Sequence, residues 1–219
     1  MKNDQSSERP RDPRHIYANP LQPEVCPILS LGYYYLCFAF ATDQNQLFPG
    51  SNQDDRFKNT LQRILKPPAG LTELERRGAT ADSFGSHSIR KGSATYSTSG
   101  TTSCPSAQSV HRRAGWSMCK ISDIYMRYEA AGDQFVGRTV SGLPPVDADF
   151  AILPPFFGAR THADMAKADN GINSCFINLP APLRRVAAFC LASVVYHHDW
   201  LVHGQSPAHP SAVHHTNLQ

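Results

Sequence analysis

Residues 86–128 read SHSIRKGSATYSTSGTTSCPSAQSVHRRAGWSMCKISDIYMRY, and the reading of the whole chain turns on three features in that stretch. The first is His87-Ser-Ile-Arg90, continued by Lys91-Gly-Ser-Ala-Thr95. The second is Ala114-Gly115-Trp116-Ser117, and the third is Tyr125, nine residues after Trp116. Helical side chains three apart share a face, one turn above the other. A helix from 86 to about 97, with Ser86 as its N-cap, therefore sets an imidazole beside a guanidinium. Gly100–Pro105 is a Gly/Thr/Ser/Pro break. Ser106–Ala114 reads as a second short helix closed by Gly115-Trp116, and Met118–Ala131 as a third, carrying Tyr125.

These residue types suit the cleavage of a DNA phosphodiester without metal. Such a reaction needs a nucleophile, cationic donors around the non-bridging oxygens, and an acid for the leaving 5′-oxygen. A tyrosine phenol, with a pKa of about 10, must be aimed in line and its charge stabilised. The arginine fork donates two parallel hydrogen bonds to a phosphate and keeps its charge. Trp116 adds an indole N–H donor. Tyr128 competes with Tyr125 as nucleophile, since it falls on the same helical face one turn later; the nine-residue spacing from Trp116 favours Tyr125.

The ordered string His87-x-x-Arg90, Gly115-Trp116 and Tyr125, with Trp116 twenty-six positions after Arg90, resembles the tyrosine recombinase and integrase family. The flanking text Asp123-Ile-Tyr-Met-Arg-Tyr-Glu-Ala-Ala-Gly-Asp-Gln-Phe-Val-Gly is similar to the Crypton-type recombinases of eukaryotic mobile elements. The resemblance covers roughly residues 1–200, with its chemical motifs confined to 87–128. It implies a mainly α (α+β) fold, a helical catalytic core with a small N-terminal β hairpin. It also implies that Tyr125 attacks phosphorus to form a 3′-phosphotyrosyl link, and that Arg90 binds the phosphate. His87 would assist proton transfer or phosphate binding, and Trp116 would complete the clamp. Lys2, ahead of a turn-like Asn-Asp-Gln, stands where the family's hairpin lysine belongs. The family's further, upstream arginine has no counterpart, since the chain begins after the place for it. One preorganised donor is worth about 10²–10³ in rate, so the resemblance implies an N-terminally truncated, weakly active or inactive copy. A domesticated DNA-binding module and an inert mobile-element remnant are the competing readings.

The rest of the chain fits around this stretch. The 219 residues carry a formal charge of +3, with 41% hydrophobic and 18% charged side chains. That is a mildly basic balance that permits nucleic-acid binding. Lys91, Arg112, Arg113, Lys120 and Arg127 are the candidates to track a phosphate backbone, giving affinity without sequence readout. Double-stranded DNA is the expected partner, engaged by a homo-oligomer, with no cofactor. A nuclear location follows from the substrate. The six cysteines are scattered, without a CxxC pair, and read as free thiols. Most of the ten histidines lie in 197–215 without regular Cys/His spacing, so no metal site is expected. No apolar stretch is long enough to cross a membrane.

Elsewhere, Glu24–Thr42 reads as a buried helix and Asp54–Leu65 as an amphipathic one, with Phe57, Leu61, Ile64 and Leu65 on its apolar face. One helical turn is expected at Thr72–Arg77 and loops over Gly132–Pro155. A long apolar helix is expected over Pro182–His203, with Leu183, Val186, Ala187, Cys190, Leu191, Val194 and Val195 on one face. The expected organisation is a catalytic part (1–135), a C-terminal helical extension (136–205) and a disordered tail (206–219).

Overall fold

A computed structural model describes residues 14–41, 46–116, 130–158 and 161–203. The described residues are mainly helical, with no strand among them. No described helix is long and apolar enough to cross a membrane. The hairpin expected around Lys2 and the helix expected over Met118–Ala131 lie outside the described residues, save for the last two positions of the latter. The chain divides into two compact units: one holds the described part of 46–132, the other that of 12–45 and 133–219. The described part of 12–45 therefore packs with that of the C-terminal half rather than with the residues that follow it.

The second unit is built on α1 (Pro27–Cys37) and α8 (Arg184–Tyr196), which lie against each other. Pro27 opens α1 at a position where a missing N–H costs nothing. Cys26 caps it unusually: its thiol sulfur accepts the N–H groups of Leu29 (3.4 Å) and Asn19 (3.2 Å). The apolar run 24–42 is thus not one helix. It holds a 3-10 turn (Pro23–Val25), α1, and extended backbone from Phe38. Leu29, Gly32 and Tyr35 form the buried face of α1. Gly32 is there because a Cβ would stand 2.7 Å from the carbonyl oxygen of Cys190 and 2.9 Å from Val194 Cγ2. Only hydrogen at that position lets the two backbones meet. At the end of α1, Tyr34, Tyr35, Phe38, Phe40 and Phe176 pack ring to ring at centroid distances of 5.0–6.2 Å.

The loop expected over 132–155 is a helix in its first third. α6 (Ala130–Val140) forms despite Gly132, Gly137 and Thr139, all weak helix formers. Tertiary contacts decide it. Val136 is buried, and the buried carboxylate of Asp133 accepts both the backbone N–H of His15 (2.8 Å) and its Nδ1 (2.9 Å). Arg14 approaches the same carboxylate at 4.0 Å. A second tie lies alongside: buried Asn19 donates to the Ser141 carbonyl (2.8 Å) while its Oδ1 accepts from Leu21 and Gln22 (3.0 Å each). α7 (His162–Cys175) buries only Ile172 and starts at a reciprocal cap, where Thr161 Oγ1 accepts from Asp164 N–H and Asp164 accepts from Thr161 N–H.

The apolar helix expected over 182–203 is interrupted. α8 stops at His197 and α9 (His198–His203) follows. The buried side of α8 is Ala187, Cys190, Leu191, Ala192 and Ser193, whereas Val195, expected on that face, is 58% exposed. The five described cysteines are unbridged.

The first unit contains α2 (Gln53–Leu65), α3 (Pro68–Arg76), α4 (Ser86–Ser99) and α5 (Ala107–Ala114). α4 contacts both α2 and α5. Its buried apolar side chains are few, Leu74 and Val110 chief among them. The amphipathic helix expected at 54–65 is present as α2, yet Phe57 and Ile64 stay exposed at 37% and 64%.

Two substitutions test this account. Gly32→Ala should overpack the α1–α8 contact and lower stability by about 1–3 kcal/mol, read as a lower urea midpoint with an unchanged slope. Asp133→Ala removes a charged acceptor from the His15 N–H and should cost about 1.5–3 kcal/mol. A midpoint unchanged in both variants would mean that neither tie holds the unit.

Candidate nucleic-acid interface

Every described residue of the 86–128 constellation lies in the first unit. α4 starts one residue earlier than its sequence suggests: Gly85, not Ser86, is the N-cap. The reason is Ser88, whose hydroxyl accepts the Gly85 N–H at 2.9 Å and so takes the reciprocal capping role. From there the helix carries His87, Arg90 and Lys91, all exposed.

α5 is capped at its start by Ser106, whose Oγ accepts the Ser109 N–H at 3.1 Å. Its end is a Schellman turn: Trp116 N–H donates to the His111 carbonyl (2.9 Å) and Gly115 N–H to that of Arg112 (3.0 Å). Gly115 sits at φ +72°, the left-handed conformation that this turn requires. The turn throws Trp116 back toward its own helix, where the indole meets the His111 ring edge-on at 5.2 Å. Trp116 remains 38% exposed.

The two halves of the constellation meet here. Arg90 Nη1 donates to the Ala114 carbonyl at 3.4 Å, at the helix end where unsatisfied carbonyls carry partial negative charge. Arg90 is thereby brought to the turn that carries Trp116, with His87 one helical turn before it on α4. His111, Arg112 and Arg113 crowd the last turn of α5, and all three are half-buried. On the other side, α2 brings Asp54 to the start of α4. A hydrogen bond from Lys58 holds its carboxyl below the usual carboxylate range, with lesser help from Ser86 and from the charge of His87. Asp54 and His111 carry no motif of their own. The only signal for either was position: Asp54 in the first turn of a helix, His111 five residues ahead of the tryptophan.

Tyr125, Lys120, Arg127 and Lys2, together with the competing Tyr128, lie outside the described residues. Among the described residues, no group of three or more His, Cys, Asp or Glu side chains could hold a metal ion. A concavity of 600 Å³ in the second unit, between the 152–157 segment and α8, is walled by prolines, aliphatic groups and aromatic rings and carries no charged side chain. No protein-family model, characterised protein or solved structure matches the chain.

Replacing Gly115 by alanine puts a Cβ into the left-handed conformation at a cost of about 1–2 kcal/mol. The Schellman turn should open, and the emission of Trp116 should shift to the red as the indole leaves His111. A Gly115→Ala spectrum identical to the parent would contradict the described turn.

Proposed function

We propose that the chain is a DNA breaking and rejoining domain of the tyrosine-recombinase type, acting through Tyr125 on double-stranded DNA. The observation that carries the reading is the approach of Arg90 to the Ala114 carbonyl, which brings the phosphate-gripping candidate to the Gly115-Trp116 turn. A contact across twenty-four positions, from Arg90 to the carbonyl just ahead of Gly115-Trp116, supports a shared site for the two motifs.

In this reading the phenolic oxygen of Tyr125 attacks phosphorus and loses its proton. The bond to the 5′-oxygen breaks, and that oxygen takes up a proton, with Lys2 as donor. The Arg90 guanidinium and the Trp116 indole N–H hold the non-bridging oxygens, where preorganised donors stabilise the transition state most. His87, beside Arg90, shares the phosphate or moves the proton. The 5′-hydroxyl of another strand reverses the sequence, so the phosphodiester energy is kept in the phosphotyrosyl bond and no nucleotide is consumed. Lys91, Arg112 and Arg113 contact the flanking phosphates. The fold in this reading is the helical catalytic core of that family, working as a homo-oligomer on DNA in the nucleus.

Covalent trapping on a nicked suicide duplex tests it. The expected result is a denaturation-resistant protein–DNA adduct, even a slow one, that is lost in Tyr125→Phe. Binding without any adduct would leave a DNA-binding module and remove the chemistry. Salt dependence tests the flanking contacts: Arg112→Ala and Lys91→Ala should each reduce the slope of log K against log salt by about one. Unchanged slopes would remove those residues from the interface.

A further inference from the structure

His197 stands at the break between α8 and α9 and is only 6% exposed. Its backbone joins the two helices: its N–H donates to the Ser193 carbonyl (3.0 Å) and its carbonyl accepts from Leu201 (2.9 Å). Its side chain is less well placed. Nε2 is buried and finds no hydrogen-bond partner among the described residues, and the same holds for Ser193 Oγ one turn earlier. Just beyond the break, Trp200 and Leu201 pack on the buried cluster of Ala18, Cys26 and Leu29.

We infer that His197 is an acid-sensitive latch: protonating its buried ring releases α9, and with it Trp200 and Leu201, from the cluster of Ala18, Cys26 and Leu29. A neutral imidazole tolerates this site, whereas an imidazolium must donate from both nitrogens and Nε2 finds no acceptor among the described residues. The charged surroundings offer little relief. Glu24, in the 3-10 turn 23–25, is the acid whose field reaches the ring and favours the proton. α1 carries no charged side chain, and the arginines of α8, Arg184 and Arg185, lie at its far end. On α9, Asp199 and His198 pair with each other at 3.1 Å in solvent.

Burial outweighs Glu24 and holds the ring below the ordinary histidine range. The sign follows from that direction. The unfolded or released ring titrates near pH 6.5 and the packed ring lower, so the released state binds more protons between those values. Stability supplied by the packed neutral ring is complete above about pH 6.5. It is lost as the pH falls toward the packed ring's own value, and levels off below it.

Hydrogen exchange on the full chain reads the latch directly. The opening constant of amides 198–203, corrected for intrinsic exchange, should rise by up to about tenfold per pH unit below 6.5. In His197→Gln the same amides should show no such rise, while α2 serves as a region without the effect in either protein. An equal rise in His197→Gln, or none in the parent, overturns the inference. Should the variant fail to fold, NMR titration of the His197 ring in the parent decides instead. A midpoint below 6.5, matched by the onset of opening, supports the latch; a midpoint at or above 6.5 overturns it.

Discussion

The second unit depends on a backbone-to-backbone contact made through Gly32. With no side chain there, α1 lies directly on the carbonyl of Cys190, and the flanking Leu29 and Tyr35 reach the interior that α8 also lines. Interiors packed at crystal-like density do not absorb an added methyl where backbone stands in its way. The polar ties at the other end of the same segment are of a different kind. Buried Asp133 takes His15 as its partner from the stretch leading into α1, and buried Asn19 in that stretch donates to the Ser141 carbonyl, so the segment is fixed by shape on one side and by hydrogen bonding on the other. Removing either leaves the segment 12–45 attached to the C-terminal half by one hand only.

In the first unit, charge and helix ends do what apolar burial does in the second. Its buried apolar side chains are few, and its helix junctions are defined by caps: Ser88 returning to Gly85, Ser106 to Ser109, and the Schellman turn at Gly115. Arg90 adds a long-range tie of the same character, a cation at a helix C-terminus. That guanidinium balances carbonyl dipoles at the end of α5.

Much of the first unit was legible in the sequence because its signals are local. α2 follows from its 3.6-residue periodicity, α5 from Ser106 and Gly115, and α4 from a run of small residues after a capping serine, wrong by one residue only because Ser88 competes for the cap. Where the reading failed, the deciding interaction is distant. α6 looked like loop because Gly132 and Gly137 weaken it, and the carboxylate that rescues it answers to His15, 118 positions away. The break at His197 is equally silent, since apolar periodicity continues through it; beyond it Trp200 and Leu201 pack on Ala18, Cys26 and Leu29, far away in sequence. Of the site, the tie from Arg90 to the Ala114 carbonyl had no local signal, and Asp54 approaches His87 from a helix that no motif links to it.

The way the chain doubles back also bears on the order in which it acquires structure. α1 emerges early, carrying exposed Tyr33 and Leu36 beside a face meant for α8, yet its partner Cys190 is made 158 residues later than Gly32. At 5–20 residues per second, that is a wait of roughly 8–30 s. The intervening helices α2 to α5 make their contacts with near neighbours and are complete long before. During synthesis, α2 to α5 can thus close on near neighbours while the face of α1 meant for α8 still waits for its partner. The load this places on chaperones during synthesis would be set by the spacing of Gly32 and Cys190, and a circular permutant that joined α8 directly ahead of α1 would shorten it.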